Sequence, residues 1–131
     1  MSDSERTENG EARLGSLHDR VDGTLYSVVR FGADDFEVVY TAEAARAMYD
    51  DDDTMREHFR RIFDYVGIDF AEKALFSDVL LSGQGTVRYM TTCMASVKLV
   101  RIYAGSEGVL VAVDPEEPVP RLADVVEERL P

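Results

Sequence analysis

The 131-residue sequence holds a single cysteine, Cys93, and no tryptophan. One cysteine excludes an internal disulfide and every CxxC metal or redox motif. Histidine is nearly as scarce: His18 and His58 stand forty residues apart, so no HxxxH or HExxH zinc arrangement exists. Lysine is confined to Lys73 and Lys98, the other twelve basic residues being arginine. No apolar run reaches the roughly 18 residues of a membrane span. The opening "MSDSERTENGEARLG" lacks the basic start and apolar middle of a signal peptide. No basic stripe offers itself to phosphate, which argues against nucleic acid as a partner. There is no GxSxG elbow, and "SGQG" at 82–85 departs from both GxGxxG and Walker A. That stretch reads as a turn, not a nucleotide site.

What the chain has in excess is negative charge: 26 acidic against 14 basic residues, a net charge of −12. Such a chain repels itself at low salt, which keeps it soluble but strains the compact state. At molar ionic strength the screening length shrinks to about 3 Å and most of that penalty goes. Abundant Asp and Glu with almost no Lys resembles the proteins of salt-in halophiles, whose cytoplasm is concentrated KCl. The expectation is a soluble, cytoplasmic protein of one domain, since 131 residues close a single core but not two.

Residues 1–13 are polar and mixed in charge and are expected to be a disordered tail; residues 14–131 form the domain. Leu14, Leu17 and Val21 are spaced for one face of a short helix over 16–21. "TLYSVVRF" then alternates, with Leu25, Ser27, Val29 and Phe31 on one side. "FEVVYT" follows a Gly/Asp turn and places Phe36, Val38 and Tyr40 together, which predicts a β-hairpin. "AEAARAMY" is alanine-rich and helical. After it Thr54 and Glu57 fit a capping box, and Met55, Phe59, Ile62, Phe63 and Val66 make one stripe of an amphipathic helix ending at Gly67. Asp69 and Glu72 repeat the capping pattern ahead of Leu75, Phe76, Val79 and Leu80, which suggests a second helix ending near Gly83, although "DVLLSG" also fits a strand. "TVRYMTTCM", "SVKLVRIYAG" and "GVLVAVD" are three strands joined by short turns. "DPEEPVP" breaks the sheet, and "RLADVVEERL" supplies a last helix with Leu122, Val125, Val126 and Leu130 on one face.

The resulting order, ββ, one or two helices, βββ, α, predicts an α+β fold: a five-stranded antiparallel sheet with helices packed on it. In topology and strand spacing over residues 14–130 it resembles the roadblock and profilin-like folds. The segments "VVRFGADDFEVVY", "VGIDFAEKALF" and "GVLVAVDPE" also look like those of a family of small uncharacterised haloarchaeal proteins. The roadblock resemblance implies dimerisation and partner binding, often to small GTPases; the narrower one implies a compartment and no activity.

The densest cluster of chemistry is "DDDDTMREHFRR", which opens on Asp50, Asp51, Asp52 and Asp53 and includes His58. Carboxylates at a helix start complement the positive end of its dipole and need no ligand to explain them. An EF-hand loop would alternate Asp or Asn and carry a central Gly, and this run does neither. His58 lies beside the apolar stripe and reads as structural or exposed. Cys93 lacks a local base, and its alternation with Val87, Tyr89 and Thr91 predicts a core-facing thiol. No catalytic, cofactor-binding or metal residue is assigned, and no cofactor is expected.

Several strands are apolar on both faces: Tyr26 and Val28 oppose Leu25 and Val29, and Leu110 and Ala112 oppose Val109, Val111 and Val113. Both faces of the sheet are therefore covered, either by the protein's own helices or by a second chain, and with few helices available the second chain is the favoured cover. The function this favours is a non-catalytic interaction or adaptor module, a homodimer or a heterodimer, burying an apolar sheet or helix face such as the Phe59–Phe63–Val66 stripe. The alternative is a small-molecule sensor with a pocket between sheet and helices lined by Tyr89, Met90 and Tyr103, with Met94, Phe59 and Phe63 nearby. An enzyme would need titratable groups such as His58 and the four aspartates to converge in one cleft.

Overall fold

The computed structural model describes residue 17, residue 21, and residues 23–32 and 35–129. The expected tail at 1–13, His18 and Leu130 lie outside them. Among the described residues five strands, β1 (Leu25–Phe31), β2 (Phe36–Thr41), β3 (Tyr89–Cys93), β4 (Lys98–Ala104) and β5 (Glu107–Val113), form one antiparallel sheet. Their order across the sheet is β2-β1-β5-β4-β3. Three helices accompany them: α1 (Glu43–Arg46), α2 (Asp52–Ala74) and α3 (Val119–Arg129). This is the α+β arrangement expected from the sequence.

β5 lies at the centre, and every residue of it from Gly108 to Val113 is buried. Val109, Val111 and Val113 pack with Val28, Val100 and Ile102 against Leu122, Ala123 and Val126 of α3, where Leu17 is also fully enclosed and Val21 packs. On the other face Leu110, Ala112, Val29, Phe31 and Tyr103 meet Met55, Phe59 and Val66 of α2. The continuous apolar run of β5 thus has its physical cause in two helical covers, both from the same chain. Of the two covers the sequence allows, the chain's own helices serve the central strands, where a second chain was the favoured one: α2 and α3 cover both faces there.

Two bulges change which residues share a face. Between β1 and β2 the register shifts at Val28/Val29, so Val39 is left over and Tyr40 packs on the α3 side, away from Phe36 and Val38. Between β1 and β5 it shifts at Leu25/Ser27, which puts Leu25 on the α3 side, opposite Val29 and Phe31. Simple alternation had grouped each set together. A bulge adds one residue to one strand and reverses the facing of everything beyond it.

The helices also differ from expectation. "AEAARAMY" yields only the single turn of α1. Asp51, not Thr54, caps α2: its carboxylate accepts from the Thr54 amide at 2.7 Å. The helix runs through Gly67 and Asp69 without a break and continues into a π-helical segment, Leu75–Leu80, where Leu81 N donates to Phe76 O at 2.9 Å. Gly67 costs helix propensity but does not end the helix, because Met55, Phe59, Val66 and Phe70 on either side of it are held by the sheet.

Candidate interaction surface

α2 is fastened to the sheet by a buried polar anchor. Arg101 of β4 donates from Nε to Asp69 Oδ2 at 2.7 Å and from Nη2 to Oδ1 at 3.4 Å. The Tyr103 hydroxyl donates to the same Oδ2 at 2.5 Å. Arg101 Nη1 also reaches Thr92 Oγ1 at 2.7 Å and the Leu99 carbonyl at 3.1 Å. The two charged side chains are only 11% and 12% exposed. Burial, first, and then the Asp69 carboxylate push the Tyr103 phenol well above its ordinary range. A carboxylate so enclosed must be satisfied on several sides, and here two donors from one strand do it.

The anchor and the apolar contacts of Met55, Phe59, Val66 and Phe70 lie on one side of α2, and another flank faces away from the core. Tyr65, Ile68, Leu75 and Val79 fall three, seven and four residues apart, one stripe of a helix, with Glu72 completing it. Tyr65 is 73%, Ile68 62% and Val79 67% exposed. Phe76, Leu80 and Leu81 add exposed apolar surface at the π-helical end. A π turn holds more residues than an α turn, so the apolar side chains of 75–81 spread around the axis instead of following the core face. Ser77 Oγ accepts from Val87 N at 3.2 Å and ties this end to the chain leading into β3.

Among the described residues β3 is an open edge, pairing with β4 alone. Its five residues, "YMTTC", include no charge and no proline, and its pairing is in regular register. The opposite edge, β2, carries Glu37 and a bulge, two devices that discourage pairing with another chain. Thr91, Thr92, Cys93 and Met94 are exposed. One signal in the sequence marks this region: residues 79–106 contain no Asp or Glu, in a chain with 26 of them. The stretch does contain Arg88, Lys98 and Arg101, and each is engaged within the molecule. Arg88 bonds Asp124 and Glu127 of α3, Lys98 the Glu117 carbonyl, and Arg101 Asp69. The exposed side chains of β3 are thus uncharged, two threonine hydroxyls and a thiol followed by Met94, on a protein rich in acid elsewhere.

The residues singled out from sequence do not converge. Asp51 caps α2, Asp52 and Asp53 sit in its first turn, and Arg46 stands 3.9 Å from Asp52. The Thr54 amide and hydroxyl hold the Asp51 carboxyl below its usual range. His58 Nδ1 lies 2.5 Å from the Tyr49 hydroxyl. Among the described residues no three His, Cys, Asp or Glu side chains group as a metal site would require. Cys93 is exposed, not core-facing, because it sits at the end of an edge strand where no helix covers it. Tyr89 packs on the α3 side while Met90 and Tyr103 lie on the α2 side, so the three do not line one cavity. Under α2 the space is taken by rings in contact, Phe63 with Phe31 and Phe36 at 5.3 and 5.0 Å and Phe70 with Tyr103 at 5.6 Å. Among the described residues no helix is long and apolar enough to cross a membrane.

The architecture has solved counterparts. A Roadblock/LC7 domain from Streptomyces avermitilis superposes with a TM-score of 0.56 at 14% identity, over 91% of this chain and 89% of that one. MglC from Myxococcus xanthus does so with a TM-score of 0.51 at 13% identity, over 92% of each chain. At such identity the likeness establishes a roadblock/LC7-like fold and nothing finer. No curated protein sequence matches significantly. A sequence-family model does match residues 11–130, and the chain belongs to that family, DUF7522, a domain of unknown function.

Proposed function

We propose that this protein is a non-catalytic protein-interaction or adaptor module of a halophilic cytoplasm, a single domain over residues 14–131 that works as a homodimer. The observation that carries the reading is the unprotected β3 edge beside the exposed Tyr65–Ile68–Val79 stripe. An antiparallel edge can pair with its own copy about a two-fold axis, so one patch serves both partners. A strongly cationic partner would be drawn to the acidic surface elsewhere, and an acidic one finds no free cation here, since Arg88, Lys98 and Arg101 are engaged. An uncharged strand edge beside apolar side chains of a helix is matched best by another copy of itself.

The roadblock-like fold supports a further step, in which the dimer presents a surface to a second protein such as a small GTPase. A tagged pull-down from a halophile lysate at molar KCl would recover that protein in stoichiometric amount. The dimer itself is tested by sedimentation equilibrium at molar KCl. The expected result is twice the monomer mass for the native chain and a folded monomer for the double variant Ile68→Glu, Val79→Glu. A native monomer, or a variant that still dimerises, overturns the reading.

A further inference from the structure

We infer that self-association through this surface is gated by ionic strength: two copies join in molar KCl and separate, still folded, in dilute salt. The inference rests on the dimer reading above and adds what controls it. Each copy carries a net charge of −12, and none of its 26 acidic residues falls in the 79–106 stretch that supplies β3 and its surroundings. That stretch therefore offers no acid to a cation of the other copy, its three cations are already bonded within their own chain, and Glu72 on the adjoining stripe brings a like charge from each copy. Everything that favours association is apolar burial and strand pairing. Everything that opposes it, beyond the entropy of joining, is the repulsion of two acidic bodies brought within a protein diameter.

These two contributions respond to salt in opposite ways. The screening length is about 10 Å at 0.1 M and about 3 Å at 1 M, so repulsion between the bodies fades with added KCl while apolar burial persists. An interface stitched by ion pairs would weaken with salt; this one strengthens. Repulsion between like-charged proteins at low salt makes dissociation at least about tenfold easier at 0.1 M than at 3 M KCl.

The experiment is sedimentation equilibrium across 0.1 to 3 M KCl, with far-UV circular dichroism at each salt. A companion variant, Glu43→Gln, Asp50→Asn, Asp53→Asn, Glu57→Gln, removes four exposed acids far along the chain from β3, taking the net charge from −12 to −8. The expected result is a dissociation constant that falls at least about tenfold over this range, unchanged helix and strand signal, and a dimerisation midpoint moved to lower KCl in the variant. A dimer of equal affinity at every salt overturns the gating and leaves the dimer standing. A monomer at every salt overturns both. Loss of the dichroism signal at low salt, or a variant whose midpoint does not move, overturns the gating, since the cause would then be unfolding or something other than net charge.

Discussion

Arg101 on β4 and Asp69 on α2, thirty-two residues apart in sequence, form a two-point ion pair at 2.7 and 3.4 Å beneath the helix. Tyr103, two residues along the same strand face, bonds the same carboxylate. The pair stands where α2 passes from the hairpin side of the sheet towards the β3 edge. With Asp69 turned to the sheet beside Val66 and Phe70, Tyr65 and Ile68 lie outward. A polar anchor among apolar contacts tells one helix rotation from its neighbours, a distinction that apolar packing makes less sharply.

Removing one member of the pair strands the other. Asp69→Ala is expected to cost about 3–5 kcal/mol, because it leaves a buried guanidinium and the Tyr103 hydroxyl without their acceptor. Asp69→Leu with Arg101→Met is expected to cost less than either single change. Urea denaturation of the three variants measures this, and additive losses would count against a coupled pair.

Tyr103 links stability to alkaline pH. Its phenol is held above the ordinary value of 10.0 in the folded chain, chiefly by burial and then by Asp69. Above that value the unfolded chain releases a proton that the folded chain keeps, so the contribution of Tyr103 is full below about pH 10 and shrinks as pH rises towards its folded pKa. The melting temperature of Tyr103→Phe is expected to lie below that of the native chain at pH 8, by a hydrogen bond to a charged group worth about 1.5–3 kcal/mol. The gap should narrow above pH 10, and a gap independent of pH would refute the assignment.

Gly108 is a packing requirement. Phe31 pairs with it across β1 and β5, and a Cβ there would come within 2.6 Å of Phe31 Cζ and 3.0 Å of the Ile102 carbonyl oxygen. Gly108→Ala is expected to destabilise by about 1–3 kcal/mol through overpacking. Combining it with Phe31→Leu should cost less than the sum of the two changes. Strict additivity in a thermal-melt cycle would show that the ring is not the obstacle.

The four aspartates have distinct expected effects. Asp51→Ala should lower the melting temperature, whereas Asp50→Asn and Asp53→Asn should leave it nearly unchanged, since only Asp51 accepts from the Thr54 amide. Because that bond holds the Asp51 carboxyl below its usual range, its contribution is present above the ordinary carboxylate pKa and is lost as pH falls through the lowered one. Replacing all four with Asn should leave Mg²⁺ and Ca²⁺ binding by calorimetry unchanged. A stoichiometric site that vanishes in the variant would make the run a metal centre.

Lowering KCl from molar to tens of millimolar should reduce the melting temperature of the native chain, as the repulsion within a net charge of −12 is unscreened. A flat or rising curve would remove the salt-adaptation argument.

Local pattern was enough for much of this molecule. The alternation of "TLYSVVRF" and "FEVVYT", the stripe from Met55 to Val66 and the unbroken apolar run of β5 each follow from side chains one to four residues apart. These define a ββ-α-βββ-α order and hence an antiparallel five-stranded sheet. Composition likewise carries the acidity and the shortage of lysine and cysteine, because charge needs no fold to be counted. Other features depend on residues far apart in sequence. The bulges at Val28/Val29 and Leu25/Ser27 arise from pairing with two different strands, so Tyr40 and Leu25 changed faces with no local sign. Gly67 reads as a stop until the sheet holds the helix on both sides of it. Cys93 alternates like a core residue, yet it stands on an edge, and which strand is the edge is decided by the order β2-β1-β5-β4-β3. Asp69 looks like a helix cap in sequence and becomes a buried anchor only when Arg101 and Tyr103 arrive from thirty residues away. The candidate surface belongs to this second class: its acid-free stretch is visible in the sequence, but its exposure follows from where the sheet ends.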